Sequence, residues 1–176
     1  MFELNKFKNP KNFRGRNKII VQLWWIVQAT FFALSPQVLY PWRRFLLRLF
    51  GAKIGKQVVI RPNVKITYPW KVIIGDYSWI GDDVVLYSLG EIQIGSNTVI
   101  SQKSYLCTGS HEYQKQSFDI YNKPIIIKDS CWIATDVFIA PGVTIENEIV
   151  VGARSSVFTN LYEKGVYIGN PAKKVK

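Results

Sequence analysis

A β-solenoid covered at one end by helices is the fold class that this sequence predicts. Three observations predict it: an aliphatic residue recurs at six-residue intervals from Ile54 to Val157, the stretch before it has helical spacing, and the two parts differ in charge. A chain of 176 residues has room for one domain with a substantial core. With 48% hydrophobic and 20% charged residues it is neither a disordered segment nor a disulfide scaffold. Of its 23 Lys and Arg, 11 lie in residues 1–56 against a single acid, Glu3, and beyond residue 56 the two signs nearly balance. The net charge of +11 is thus a property of the N-terminal third.

The first apolar stretch, residues 19–34, includes Gln22, Gln28 and Thr30. It is shorter than the ~18–20 apolar residues of a spanning helix, and Leu34-Ser35-Pro36-Gln37 makes a poor signal-peptide cleavage site. Its polar residues share no helical face, which predicts burial nearly all round, in protein or in lipid. Next, Trp42, Phe45, Leu46, Leu49 and Phe50 fall on one helical stripe with Arg43, Arg44 and Arg48 off it. Pro41 suits the first helical position and Gly51 the C-terminal cap. A basic helix of this kind fits the surface of an anionic membrane, and equally a cover over the end of the main domain with its arginines solvated. A nucleic-acid arm fits poorly, because the apolar faces are wide and no RNA or DNA module follows.

The phased aliphatic residues are Ile54, Ile60, Ile66; Ile74, Ile80, Leu86; Ile94, Ile100, Leu106; Ile127, Ile133, Ile139; and Ile145, Val151, Val157. Four positions after each, a second inward candidate is commonly small or β-branched, as at Val58, Ser78, Val84, Thr98, Ser104, Ser110, Cys131, Val137 and Ser155. Six residues match neither the helical period nor plain alternation; they match one short strand and one corner of a triangular prism. Three hexads close a turn, so the triplets give about five coils, with two extra residues before Ile74 and Ile94 and a long insertion at 112–126. Gly55, Gly75, Gly81, Gly95 and Gly152 are expected to relieve corners that need φ > 0. The domain reading is a basic, aromatic helical segment at 1–50 and a solenoid at 51–176.

The single histidine, His111, excludes chemistry that needs several: HExxH zinc sites within one chain and the three metal-binding histidines of γ-type carbonic anhydrase. No metal is expected. Neither GxGxxG nor GxxxxGK[ST] occurs. Cys107 and Cys131 form no CxxC pair and read as reduced core thiols of a cytoplasmic protein.

The hexads, together with Phe50-Gly51-Ala52-Lys53-Ile54-Gly55, Thr108-Gly109-Ser110-His111, Cys131-Trp132-Ile133-Ala134, Ala140-Pro141-Gly142-Val143-Thr144-Ile145 and Gly169-Asn170-Pro171-Ala172-Lys173, resemble the hexapeptide-repeat acyltransferases over roughly residues 51–175. With the helical N-terminus they are similar to the O-acetyltransferases of colanic-acid-type exopolysaccharide assembly. The resemblance implies a left-handed parallel β-helix, all-β apart from the N-terminal helical segment. It also implies a homotrimer with active sites between neighbouring prisms, and acetyl-CoA as donor.

Acetyl transfer from a thioester to a sugar hydroxyl needs a base for the hydroxyl proton and donors for the oxyanion. An imidazole suits the first task, and the resemblance makes His111 that base. Glu112 is the first choice as its orienting partner, with Glu91 one coil below and Ser88 as further acceptor-side positions. The resemblance also places Trp132 at the cleft and backbone groups of Thr135 and Ala153, eighteen residues apart, against coenzyme A. Arg154, Lys173 and Lys174 are the candidate phosphate contacts; Arg154 stands where relatives carry Gly, and Phe158-Thr159 where they carry Thr-Lys. The expected reaction is O-acetylation of a sugar or lipid-linked oligosaccharide, with peripheral membrane contact through residues 19–50 and no nucleic-acid partner. N-acetylation of an amino sugar stays open at this point, as does a non-catalytic solenoid scaffold at the membrane.

Overall fold

The computed structural model describes residues 2–176 and shows a parallel β-solenoid with a short helical part at its N-terminal end. Strands of two or three residues stack in parallel on three faces. The first face runs from Lys53–Ile54 through Val72–Ile74, Ile92–Ile94 and Ile125–Ile127 to Thr144–Ile145, in that order. Along the second face, Val59, Trp79, Val99, Trp132 and Val150 are in register, and on the third Ile66, Leu86, Leu106, Ile139 and Val157 are aligned. All fifteen phased aliphatic residues are buried, none more than 8% exposed, so each coil hides its column on its neighbours.

The small inward positions tie successive coils by hydrogen bonds. Ser78 Oγ accepts from Thr98 N (3.0 Å) and donates to Gly95 O (2.6 Å); Thr98 Oγ1 accepts from Cys131 N (3.1 Å) and donates to Lys128 O (2.8 Å). Polar residues inside a solenoid are tolerable on these terms, because each hydroxyl is saturated. Ser110 departs from the pattern: it is only partly buried and lies in a hairpin outside the prism.

The coil count and the role of the glycines need correction as well. The solenoid has about six turns, not five. Leu161 bridges Ile145, and Gly165–Gly169 pairs with Ile149–Val151, so that Leu161 (4% exposed) and Tyr167 (8%) continue the core. These two are six residues apart, but Leu161 follows Val157 by four, and the slip of phase concealed the last turn. The phased glycines, moreover, do not supply positive φ. The left-handed corners are Gln57, Tyr77, Asp83, Asn97, Lys103, Ser130, Asp136, Glu148 and Arg154, with Gly142, outside the phased set, at φ +87°. Glycine is instead required where coils touch: a Cβ on Gly75 would lie 2.6 Å from Gly95 C, and one on Gly95 would lie 2.5 Å from Lys128 C.

Helix α1 (Lys18–Val27) starts with the Asn17 side chain accepting from Ile20 N at 2.9 Å and runs on into a π-helical turn, Gln28–Phe32. Helix α2 (Tyr40–Leu49) begins with Pro41 in its first turn and ends at Gly51, φ +93°. Together they cover the open end of the first coil. In the second coil the carbonyls of Ile74, Ser78, Ile80 and Leu86 accept amides from coil one. Their equivalents in the first coil have no coil beneath them, and side chains of the helices take that place. Arg48 donates to Ile54 O (2.7 Å), Arg44 to Val58 O (2.8 Å), Arg43 to Ile60 O (2.6 Å) and Trp24 Nε1 to Ile66 O (2.8 Å). Gln28 Oε1 accepts from Ile66 N at 2.6 Å.

The arginines of α2 are therefore turned into the fold, and Arg43 is fully buried. The apolar stripe divides as a result: Leu46 is buried and Phe50 partly so, while Trp42, Phe45 and Leu49 face outward, and Leu47, off the stripe, is buried. Nor is residues 19–34 buried all round by protein. Val21, Trp24 and Phe32 are enclosed, but Ile19, Leu23, Ile26, Phe31 and Leu34 are exposed. Among the described residues no helix is long and apolar enough to cross a membrane.

Candidate active site

The site is built where the chain leaves the third face after Tyr105–Cys107 and returns to the first at Ile125–Ile127. Instead of turning a simple corner it projects as an antiparallel hairpin, Gly109–His111 against Ile120–Asn122, with His111 opposite Ile120. Its root is fixed from three sides. Thr108 Oγ1 donates to Tyr87 O (2.6 Å) and accepts from Gly90 N (2.8 Å), and Lys123 N donates to Thr108 O (2.8 Å). Gly109 lies so close to Leu89 that a Cβ there would meet its Cδ1 at 2.6 Å. Leu89, Tyr68 and Val21 form a small buried cluster against which Ile120, Phe13 and Trp70 pack, joining hairpin, solenoid and α1.

The hairpin carries a tight turn between its strands. Glu112 N donates to Asp119 O, Lys115 N to Glu112 O and Phe118 N to Lys115 O, all at 2.9–3.0 Å. Phe118, at φ +48°, places its carbonyl 2.8 Å from His111 Nδ1. A carbonyl only accepts, so Nδ1 carries the hydrogen and the lone pair of the neutral ring stays on Nε2. The Phe118 ring stacks on the imidazole, centroids 4.2 Å apart and 9° from parallel. His111 is partly exposed beside a cleft of about 390 Å³ lined by Glu112, Tyr113, Gln114, Tyr121, Asn122 and Lys123. The arrangement sets an imidazole, its Nδ1 already engaged, at the edge of a polar, open cleft.

The residues nominated from the sequence are not gathered in one place. Glu112, the first choice as orienting partner, is exposed on the turn, and the group bonded to His111 Nδ1 is the Phe118 carbonyl. Ser88 is fully buried, accepting from Tyr68 N (2.8 Å) and donating to Tyr68 O (3.0 Å). Glu91 is exposed and accepts from the Gln93 amide. Trp132 does not line the His111 cleft; it stands half-exposed on the second face, its Nε1 donating to Ser101 Oγ at 3.0 Å. Thr135 and Ala153 occupy successive corners, where Arg154 N donates to Thr135 O (2.9 Å). Arg154 projects into solvent with a long 3.7 Å contact to Asp136. Lys173 is exposed on the last strand, and Lys174 pairs with Glu163 at 2.7 Å. Burial pushes both the Cys107 and Cys131 thiols above their ordinary pKa, which disfavours the thiolate that an acyl carrier needs.

Sequence reasoning missed Phe118. Its carbonyl is a backbone group that every residue offers, and no side-chain signal marks it. Phe2 and Phe7, which also approach this hairpin, were missed because nothing in their neighbourhood of sequence points to a site a hundred residues away.

No protein-family model matches the chain. It is 66% identical over all 176 residues to the colanic acid biosynthesis acetyltransferase WcaF of Escherichia coli, covering 97% of that protein. The chain belongs to the colanic acid biosynthesis acetyltransferases. The galactoside O-acetyltransferase of Escherichia coli is 26% identical over 76% of the chain and 68% of its own length. Among solved structures, a hexapeptide-repeat acetyltransferase of Vibrio cholerae in complex with acetyl coenzyme A superposes with a TM-score of 0.81. It is 26% identical, over 90% of this chain and 87% of that one. A maltose O-acetyltransferase from Clostridium difficile, 24% identical over 91% of this chain and 88% of that one, shares the fold with a TM-score of 0.82. In this chain the body is a solenoid, and its single imidazole lies on the Gly109–Asn122 hairpin.

Proposed function

We propose that the protein transfers acetyl from acetyl-CoA to a hydroxyl of a sugar in surface-polysaccharide biosynthesis, with His111 as general base. The observation that carries this reading is the Nδ1–Phe118 carbonyl bond, which leaves Nε2 as a fixed acceptor on a polar cleft. His111 Nε2 takes the proton of the sugar hydroxyl as that oxygen bonds to the thioester carbonyl carbon. When the carbon–sulfur bond breaks, the imidazolium gives the same proton to the departing thiolate, and the base is restored. Phe118 fills the orienting role for which Glu112 was nominated.

Coenzyme A is assigned to the corners at Thr135 and Ala153, with Arg154, Lys173 and Lys174 toward its phosphates. The exposed, loosely paired Arg154 supports this placement, and the acetyl-CoA complex of the Vibrio cholerae neighbour supports the cofactor itself. We read the assembly as a homotrimer. This is supported by Trp132, which the resemblance puts at the cleft but which in one copy stands on the second face and does not line the cleft beside His111, so the indole would come from a neighbouring copy. The chain divides functionally into a helical segment at 1–50 and the acyltransferase solenoid at 51–176, whose 112–126 excursion bears the site.

The helical segment is proposed to rest on the cytoplasmic face of an anionic bilayer and hold the enzyme near a lipid-linked acceptor. Two observations support this. The inward arginines leave Ile19, Leu23, Ile26, Phe31, Leu34, Phe45 and Leu49 on the outside. No acid occurs from Leu4 to Gly75, and Arg14, Arg16 and Lys18 line a basic pocket of about 410 Å³ at the start of α1, next to Ile19.

The test is thiol release from acetyl-CoA with a panel of sugar and lipid-linked acceptors, comparing wild type with His111→Ala. Acceptor-dependent turnover that drops ~10²–10⁴-fold in the variant is expected. Turnover that survives in His111→Ala would sink the base assignment.

A further inference from the structure

Residues 2–7 lie against the hairpin that carries His111. Glu3 N donates to Gln116 O at 2.8 Å, and Gln116 Nε2 donates back to Glu3 Oε1 at 2.6 Å, so two bonds join chain positions 113 residues apart. The Phe2 ring packs on Phe118 with centroids 4.3 Å apart. Phe7 approaches the imidazole with centroids 5.9 Å apart and rings tilted 55°. Phe2, Phe118, His111 and Phe7 thus form a continuous aromatic series with the imidazole between Phe118 and Phe7. Beyond residue 7 the chain is held to the solenoid: Trp70 Nε1 donates to Arg14 O (2.7 Å) and Lys71 Nζ to Phe13 O (2.9 Å).

We propose that residues 2–7 are a positioning strap for His111. The hairpin root is pinned by Thr108 and Leu89, but its turn, residues 112–116, is exposed and has no solenoid coil against it. The Phe118 carbonyl that orients Nδ1 sits at the end of that turn, so any drift of the turn lengthens the 2.8 Å bond and frees the ring to rotate or change tautomer. The strap opposes this drift at Gln116 and Phe118, while Phe7, packed beside the imidazole, limits its rotation. None of its residues touches the cleft beside His111, so its effect on the reaction passes through the imidazole. This inference rests on His111 being the base, but it concerns the ring's orientation, which is measurable without turnover.

His111 is the sole histidine, so its two ring nitrogens give one unambiguous set of signals in a long-range proton–nitrogen NMR spectrum. In the full chain, above the pH at which the ring loses its proton, the Nδ1–H tautomer is expected to dominate. Removal of residues 2–7, or the milder pair Phe2→Leu and Phe7→Leu, should shift the population toward the Nε2–H form that free imidazole side chains prefer. Phe7→Trp should restore the native pattern. In the turnover assay kcat should fall ~10–100-fold with the Michaelis constant for acetyl-CoA little changed, the size expected for a misplaced catalytic group. Circular dichroism keeps folding defects apart, and the point variants serve if the truncation fails to fold. An unchanged tautomer in folded strap variants would overturn the strap. Undiminished turnover in His111→Ala would instead overturn the base reading and leave the tautomer result standing on its own.

Discussion

Arg43→Met is the change that most directly tests how the solenoid's open end is closed. Met keeps most of the aliphatic stem and removes the guanidinium donors, so packing is largely conserved while the hydrogen bonds are lost. Arg43 donates to Ile60 O at 2.6 Å, Ser35 Oγ at 2.7 Å, Pro36 O at 2.9 Å and Gln37 O. Only the Ile60 bond is wholly buried; the other three acceptors lie where water can replace the lost donor. The buried carbonyl then carries most of the penalty, about 1–3 kcal/mol for an orphaned acceptor, and the remaining charged bonds add roughly 1–2 kcal/mol in total. Against this, the variant no longer confines a guanidinium whose pKa is lowered by burial, which offsets part of the loss. The net expectation is a loss of about 1–4 kcal/mol, or roughly 3–12 °C in Tm for a chain of this size. Urea unfolding followed by tryptophan fluorescence and by circular dichroism measures it, with Arg44→Met, which loses one bond to Val58 O, as the milder control. Because solenoids unfold in segments, amide exchange should show the loss concentrated at residues 18–66. A loss below about 1 kcal/mol, or no difference between the two variants, would refute the argument that Arg43 supplies what a missing coil would have supplied.

Three further outcomes follow from the same structure. Glu112→Gln should retain turnover within about threefold of wild type, because the Phe118 carbonyl holds the imidazole; a loss of a hundredfold or more, the scale on which wrong-tautomer variants suffer, would return the orienting role to Glu112. The protein should float with vesicles containing phosphatidylglycerol and not with pure phosphatidylcholine, with binding weakened by salt and abolished in Leu23→Ser/Ile26→Ser/Phe31→Ser. Equal recovery of wild type and variant, or self-association that these changes abolish, would assign the exposed face otherwise. Both thiols have folded pKa values raised by burial, as do Tyr68, Tyr87 and Tyr105. Their contribution to stability is therefore complete below the unfolded thiol pKa of ~8.5 and is lost as pH rises through the folded values. Urea midpoints that stay level up to about pH 8 and fall above about pH 9 are expected; a midpoint that rises with pH in that window would contradict the sign.

The inside of the solenoid was written in the sequence because it repeats. Every six residues the chain meets the same environment, so Ile54 and Val157 answer to the same local rule and both are buried. The rule fails where the environment stops repeating. At Leu161 the phase slips by two residues and the sixth turn became legible only through its bridge to Ile145. The glycines show a subtler limit: their spacing was visible, but whether they serve a left-handed corner or a close contact depends on the neighbouring coil, and the distance from Gly95 to Lys128 decides it.

His111 stood out in the sequence because it is alone and ends a motif. Which way its ring faces did not, since Phe118 acts through its backbone and Phe2 and Glu3 reach the hairpin from the other end of the chain. The same holds for α2. Its spacing defined an amphipathic helix, and by the usual logic the arginines would face water. The tertiary structure inverted that order, because the first coil presents carbonyls with no amides beneath them, and satisfying a buried acceptor is worth more than solvating a guanidinium. Composition and period thus determined what the chain is made to bury in its coils. The direction of its arginines, the tautomer of its one histidine and the exposure of its helical face were decided only when distant segments met.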